Sequence, residues 1–278
     1  MIQNLKPAMA VSVLGIALML STASLMAQPV AKATPAQPAA KAPAIDPAAV
    51  AAINRMGDYL KTLKAFSIRA DTTTDQVLPS GPKLQFGGTI DLTFRDPDGL
   101  YIVSRRDDRD ESRFFYNGKL LTVWVEAKKV YAGIVAPATI GSTLELVKDK
   151  YDVNFPLGDV LLMAARGELL RDVKAGIVIG TGRIAGVDCD HLGFHQDGMD
   201  WQIWIEKGER PLPRKMLVTS LAQVSQPQHS EVLTWDLSPK IDPAMFTFVP
   251  PEGANRIAIA EKKAVRQLKA TTGAKEAK

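Results

Sequence analysis

The alternation between Leu84 and Arg95 constrains this chain more than any other feature. Leu84, Phe86, Gly88, Ile90, Leu92 and Phe94 fall on one side, and Gln85, Gly87, Thr89, Asp91, Thr93 and Arg95 on the other. Period two belongs to an extended strand, so this stretch lies in a sheet with one face in a core and the other in water. So long a strand cannot stand alone, because its backbone N–H and C=O groups and its apolar face need neighbours.

Those neighbours are legible on either side. Phe66, Ile68 and Ala70 alternate with polar residues before a Pro79-Ser-Gly-Pro82 turn. Downstream, Asp96-Pro-Asp-Gly99 turns the chain into Leu100–Ser104, and Asn117-Gly118 signals a hairpin between Arg113–Tyr116 and Lys119–Val125. Further strands are expected over Lys129–Val135, Gly176–Ile179, Val187–Phe194, Trp201–Glu206, Pro213–Val224 and Ser230–Leu237. Strands in close succession with short turns imply antiparallel pairing. A sheet of about ten or eleven strands must twist and curl.

Three stretches change to helical period. Asp46 caps the first, whose Val50, Ile53, Met56, Leu60 and Leu63 recur at intervals that share one face. Ser142 or Thr143 starts a second toward Lys150, and Leu157–Leu170 forms a third around Val160, Leu161, Ala164 and Leu169. The last two interrupt the sheet, and all three are placed to cover the concave side of a curled one.

The N-terminus sets the compartment. Lys6, an apolar run from Ala8 to Leu20, Ser21-Thr-Ala-Ser24 and a small residue at Ala27 form the layout of a secretory signal peptide over residues 1–27, with cleavage expected after Ala27. The apolar run falls short of the roughly 18 residues a membrane span needs. The only cysteine, Cys189, is far from that cleavage region, so the expected mature N-terminus has no thiol to carry a lipid. The expectation is a periplasmic protein that is not a lipoprotein and has no intramolecular disulfide. Residues 28–46, with Pro29, Pro35, Pro38 and Pro43 among small residues, read as an extended linker. A single domain is expected over 47–260 and a basic tail over 261–278.

The net charge of +4 suggests an anionic partner, but its distribution does not. Residues 28–260 hold 27 basic and 28 acidic groups, whereas after Ala260 six basic residues face two acidic ones. The folded part carries no basic signature and no nucleic-acid partner is expected. Peripheral contact with an anionic membrane surface is an expectation for the tail alone.

No motif implies a cofactor or a catalytic residue. Cys189, His191 and His195 share one face of a strand, which raises zinc as a metal-dependent hydrolase reading. At about 3.3 Å per residue the outer two stand roughly 20 Å apart, so the three cannot hold one ion. Packing and hydrogen bonding of these side chains is the simpler reading, and no metal site is assigned. Asp188 and Asp190 lie on the opposite face with Leu192 and Phe194, and read as solvated carboxylates. The mixed charges of Arg105–Arg113 suit a hairpin tip that solvates itself, or a docking surface for a charged partner. Gly180-Thr-Gly182 lacks the Lys-Ser/Thr and following helix of a phosphate loop and reads as a turn. No Gly-x-Ser-x-Gly and no His-Glu-x-x-His is present.

Several local patterns then line up: Gly186-Val-Asp-Cys-Asp-His-Leu192, Trp204-Ile-Glu-Lys-Gly208 before Leu212-Pro-Arg214, and Phe246-Thr-Phe-Val-Pro-Pro-Glu-Gly253. With the leader, the first helix before a long meander and the central helical pair, they make the chain resemble the periplasmic outer-membrane lipoprotein-carrier superfamily, the LolA-like proteins, and among them its predicted periplasmic members. The resemblance spans nearly all of residues 47–254. It implies an α+β fold, mostly antiparallel β: an unclosed, curled β-barrel with helices covering the concave side and enclosing an apolar cavity fit for acyl chains. Phe86, Phe94, Trp124, Trp201, Trp204 and Trp235 all lie in expected strands and are the candidates to line that cavity. The function expected is non-enzymatic binding of an apolar ligand, a lipid acyl chain or a lipoprotein. The alternative is a sensing or scaffold module that binds another envelope protein through the sheet edge or the charged hairpin.

Overall fold

The computed structural model describes residues 45–108, 111–151, 155–166, 170–259 and 261, without the side chains of 159 and 164–166. The expected signal peptide, the linker up to Ala44 and the tail beyond Glu261 lie outside the described residues, as does Leu169. Ile45 and Asp46, read as linker, already belong to the fold: Ile45 forms a parallel bridge to Gly176, and Asp46 N–H donates to the Gly176 carbonyl at 2.8 Å.

Helix α1 (Pro47–Thr62) starts as expected. Asp46 Oδ1 accepts the Ala48 N–H at 2.8 Å, and Pro47 at the first helical position needs no N–H partner. Its Ala49, Ala52, Ile53, Met56 and Leu60 are buried, while Val50 and Leu63 form a half-buried rim.

The meander follows: β1 (Ala65–Val77), β2 (Lys83–Arg95), β3 (Gly99–Arg106), β4 (Glu111–Tyr116), β5 (Leu120–Val125) and β6 (Val130–Val135). The β4–β5 hairpin turns on Asn117-Gly118. Asn117 Oδ1 accepts the Lys119 and Leu120 N–H groups, and Gly118 has φ +80, a conformation that favours glycine. Helix α2 (Ile140–Tyr151) begins earlier than Ser142, because Thr139 is its cap: the Thr139 hydroxyl accepts the Ser142 N–H at 3.3 Å. Helix α3 (Gly158–Arg166) packs against α1 and α2.

The second run comprises β7 (Val173–Ile184), β8 (Val187–Gln196), β9 (Met199–Glu206), β10 (Pro213–Ser220) and β11 (Gln228–Asp236), and the two-residue β12 (Asn255–Arg256) closes it. All twelve form one sheet in the order β12-β6-β5-β4-β3-β2-β1-β11-β10-β9-β8-β7. It is an unclosed, curled, mostly antiparallel sheet, the architecture that the resemblance to the lipoprotein carriers implied. Among these twelve strands β12 alone pairs in parallel, Asn255 with Val130 and Arg256 with Tyr131.

Two readings of this half are corrected. Gly180-Thr-Gly182 is not a turn but the interior of β7, where the register slips between Val178 and Gly180 and Gly180 takes φ +148. A β-bulge gives the same glycine signature as a turn. The strand expected to reach Val224 ends at Ser220, and Val224 is fully exposed.

Strand parity divides the sheet into two faces. Phe66, Ile68, Leu92, Phe94, Leu100, Ile102, Phe114, Leu192, Ile203 and Leu233 point to the face that carries the helices and share one core with Ile53, Met56, Leu144, Val160 and Leu161. This is the inner face.

Candidate ligand-binding face

Near the helices the inner face is an aromatic floor. Phe66 and Phe94, cross-strand partners on β1 and β2, stack with centroids 4.6 Å apart, and Trp235 of β11 tilts onto Phe66 at 5.1 Å. The Trp235 indole N–H donates to the Pro213 carbonyl at 2.8 Å, which fixes its ring across the strands. Phe194 and Trp201 stack at 4.2 Å on β8 and β9. Asp190, on the inner face of β8 as parity required, is ion-paired to Arg55 of α1 at 3.1 Å and to Lys207 at 3.4 Å.

Along β1 and β2 the burial falls away toward their connecting turn. Phe86 is half-buried with the Arg106 guanidinium 5.3 Å above its ring, and Val218, opposite Trp201, is half-buried too. Between them lies a polar island that strand reading missed. Thr74 Oγ1 contacts His229 Nδ1 at 2.7 Å, and His229 Nε2 contacts Glu231 Oε1 at 2.9 Å. Spacing two along β11 was the available signal for His229 and Glu231 sharing a face. Only the β1–β11 pairing brings Thr74 to them.

Of the six aromatic candidates, Phe86, Phe94, Trp201 and Trp235 therefore lie on the inner face. Trp124 and Trp204 do not. Trp124 pairs with Arg113 and Tyr131 on the outer face, donates to Glu126 Oε2 at 2.7 Å, and packs 5.8 Å from Phe248. Trp204 stacks on His191 at 4.0 Å on the outer face, with the Lys215 ammonium 4.9 Å from its ring. Gly182 makes room for it, since a Cβ there would lie 2.8 Å from the indole.

The outer face also resolves the other constellations. Cys189 is fully buried, and burial pushes its thiol above the ordinary range. His191 bonds Gln202 at 2.9 Å and His195 bonds Asp200 at 2.6 Å, so the three side chains each have their own surroundings. Among the described residues, no three His, Cys, Asp or Glu side chains converge where they could hold a metal ion. The charge run at the β3–β4 hairpin is less a tip than part of a ladder. Arg69–Asp91, Asp91–Arg105, Arg105–Glu111 and Glu111–Arg113 follow at 3.0, 2.7, 2.9 and 2.6 Å across β1 to β4. At the β7–β8 end, Arg171, Asp172, Lys174, Gln196 and Asp197 line a cleft of about 350 Å³ whose mixed charges do not suit an acyl chain.

Among curated proteins none matches the chain. Solved structures with a similar arrangement include lipoprotein LppX of Mycobacterium tuberculosis, at 16% identity and a TM-score of 0.46, covering 71% of this chain and 100% of that one. LprF of Mycobacterium bovis is 12% identical, with a TM-score of 0.43 and coverage of 76% and 100%. A LolA superfamily protein of Nitrosomonas europaea is 10% identical, with a TM-score of 0.35 and coverage of 72% and 97%. A family model matches residues 49–260, from the third helical residue of α1 to the end of the last strand's exit segment, and by that match the chain belongs to the predicted periplasmic proteins of family DUF2092.

Proposed function

We propose that this protein is a non-enzymatic periplasmic binding protein that holds an apolar ligand, the acyl chain of a lipid or lipoprotein, against the inner face of its curled sheet. The observation that carries the reading is the gradient along that face. Along β2, Phe94, Leu92 and Ile90 on that face are buried, Phe86 is half-buried and Leu84 is exposed. A graded apolar surface of this kind suits a chain that enters from one end and displaces water as it goes. Each methylene removed from water contributes about 0.8 kcal/mol, offset by the ordering of the chain.

Export through the leader of residues 1–27, with the lone Cys189 leaving the mature N-terminus unlipidated, is part of the same proposal, as is the division into linker, domain and tail. No catalytic role is assigned to any residue.

Phe86→Glu tests the face. The ring is half-buried, so the fold should survive, while a carboxylate is placed where the chain would lie. Binding of a fluorescent fatty acid should weaken by roughly tenfold or more, the scale of two methylene groups losing their apolar floor. Unchanged binding in a variant with wild-type melting would count against this face.

A second reading is supported by one observation. Ile177, Val178 and Ile179 stand 56%, 40% and 49% exposed on β7, an edge strand of the sheet. An exposed apolar edge is a place where another polypeptide can add a strand, which favours a protein partner in the envelope.

A further inference from the structure

The polar island on the inner face is built by pairing distant segments. In the β1–β11 register Thr72 lies opposite Glu231 and Thr74 opposite His229, and on its other flank Glu231 faces Met216 of β10. The Glu231 side chain is 11% exposed, against 40% for His229. Glu231 Oε1 lies 2.9 Å from His229 Nε2, within hydrogen-bond distance. On the other side of the ring, Thr74 Oγ1 lies 2.7 Å from His229 Nδ1. The hydroxyl, imidazole and carboxylate thus form one chain whose inner end, the Glu231 carboxylate, is largely withdrawn from water.

Among the described residues the His229 ring is the partner of Glu231, at Oε1, and a carboxylate so far withdrawn from water gains from a cation at its second oxygen. The basic side chain that shares its row of the sheet is already committed. Arg106 lies opposite Gly88, which lies opposite Thr72, and its guanidinium holds Asp108 Oδ2 at 2.6 Å while covering Phe86. Around the island the inner face is apolar: Phe86 is the β2 partner of Thr74, Val218 the β10 partner of His229, and Met216 adjoins Glu231. A cation bound there has a hydrocarbon-lined floor beside it.

We infer that Glu231, His229 and Thr74 form the head-group receptor of this face, and that the amphiphile it takes is a lipid whose polar head carries a primary ammonium. The ammonium sits on Glu231, the Thr74–His229 pair holds that carboxylate in place, and the acyl chain lies along Phe86 toward the aromatic floor. This rests on the proposed function, because it assigns the polar end of the ligand whose apolar end the inner face receives. Bulk charge does not supply the same preference, since residues 28–260 are balanced at 27 basic and 28 acidic groups.

The test measures displacement of a fluorescent fatty acid by dodecylammonium, dodecanoate and dodecanol, each below its micellar concentration. Wild-type protein should prefer dodecylammonium over dodecanoate by about tenfold or more, the scale of one charge-assisted hydrogen bond. Glu231→Gln should bring the two within about twofold while leaving dodecanol unchanged, as expected when a charge is removed and shape is kept. Equal affinities in the wild type, or a preference that survives Glu231→Gln, overturns the site and leaves the apolar reading standing. Should Glu231→Gln fail to fold, His229→Gln at the more exposed position decides: the preference should fall, and its full retention overturns the site. Failure of all three amphiphiles to bind overturns the apolar reading and the site with it.

Discussion

At the scale of single residues, Asp75 is an ionisable group shifted by its partners. The Lys83 ammonium, 3.0 Å away, holds its carboxyl below the usual carboxylate range, the Gln228 N–H and the Gln85 amide add to that, and burial opposes them. These contacts tie the β1–β2 hairpin to the start of β11. A folded-state pKa below the unfolded one contributes stability that is fully present above the unfolded value and is lost as pH falls through the folded value. Asp75→Asn should therefore lower the unfolding free energy by roughly 1–3 kcal/mol at neutral pH, the scale of hydrogen bonds to a charged group. The gap between variant and wild type should narrow in urea titrations at about pH 3. A gap that stays constant with pH would mean that the contact acts through shape alone.

At the scale of elements, the stretch Phe246–Gly253 acquires a physical role. It crosses the outer face: Phe246 is buried against Gly99, where a Cβ would lie 2.8 Å from its ring, and Arg95 sits 4.7 Å from that ring. Phe248 then joins Phe115, Trp124 and Tyr131 before the chain pairs with β6. Phe246→Ala should cost roughly 3–5 kcal/mol, as for other fully buried aromatic rings, and a loss below about 1 kcal/mol in a thermal melt would contradict the strap. Much of the layout was legible beforehand, because period two in β1 and β2 and the Asn117-Gly118 turn are local signals. β12 was not, since two residues have no period, and β7 was cut short because Ile177-Val178-Ile179 does not alternate and Gly180 shifts the parity. The split among the tryptophans could have been read: Trp201 and Trp204 are three apart on one strand, so only one of them can face inward. For Trp124, the local sequence does not say that a segment more than a hundred residues later would cover it. The His229–Glu231 island is of the same kind, a product of which strands meet.

At the scale of the molecule, the sheet has two faces with different tasks. The outer face is closed by its own chemistry, an ion-pair ladder, a stacked His191–Trp204 pair and an aromatic cluster under the strap. The inner face is sealed at one end by three helices and becomes half-buried toward the other, with a polar island set among apolar neighbours. Binding of an acyl chain along that face is the central claim. It is tested most directly by native mass spectrometry of the mature protein taken from the periplasm without detergent, with solvent extraction and lipid analysis of the same sample. The account predicts a bound species of lipid mass that is released into the organic phase. A bare polypeptide mass, with nothing extracted, would contradict it.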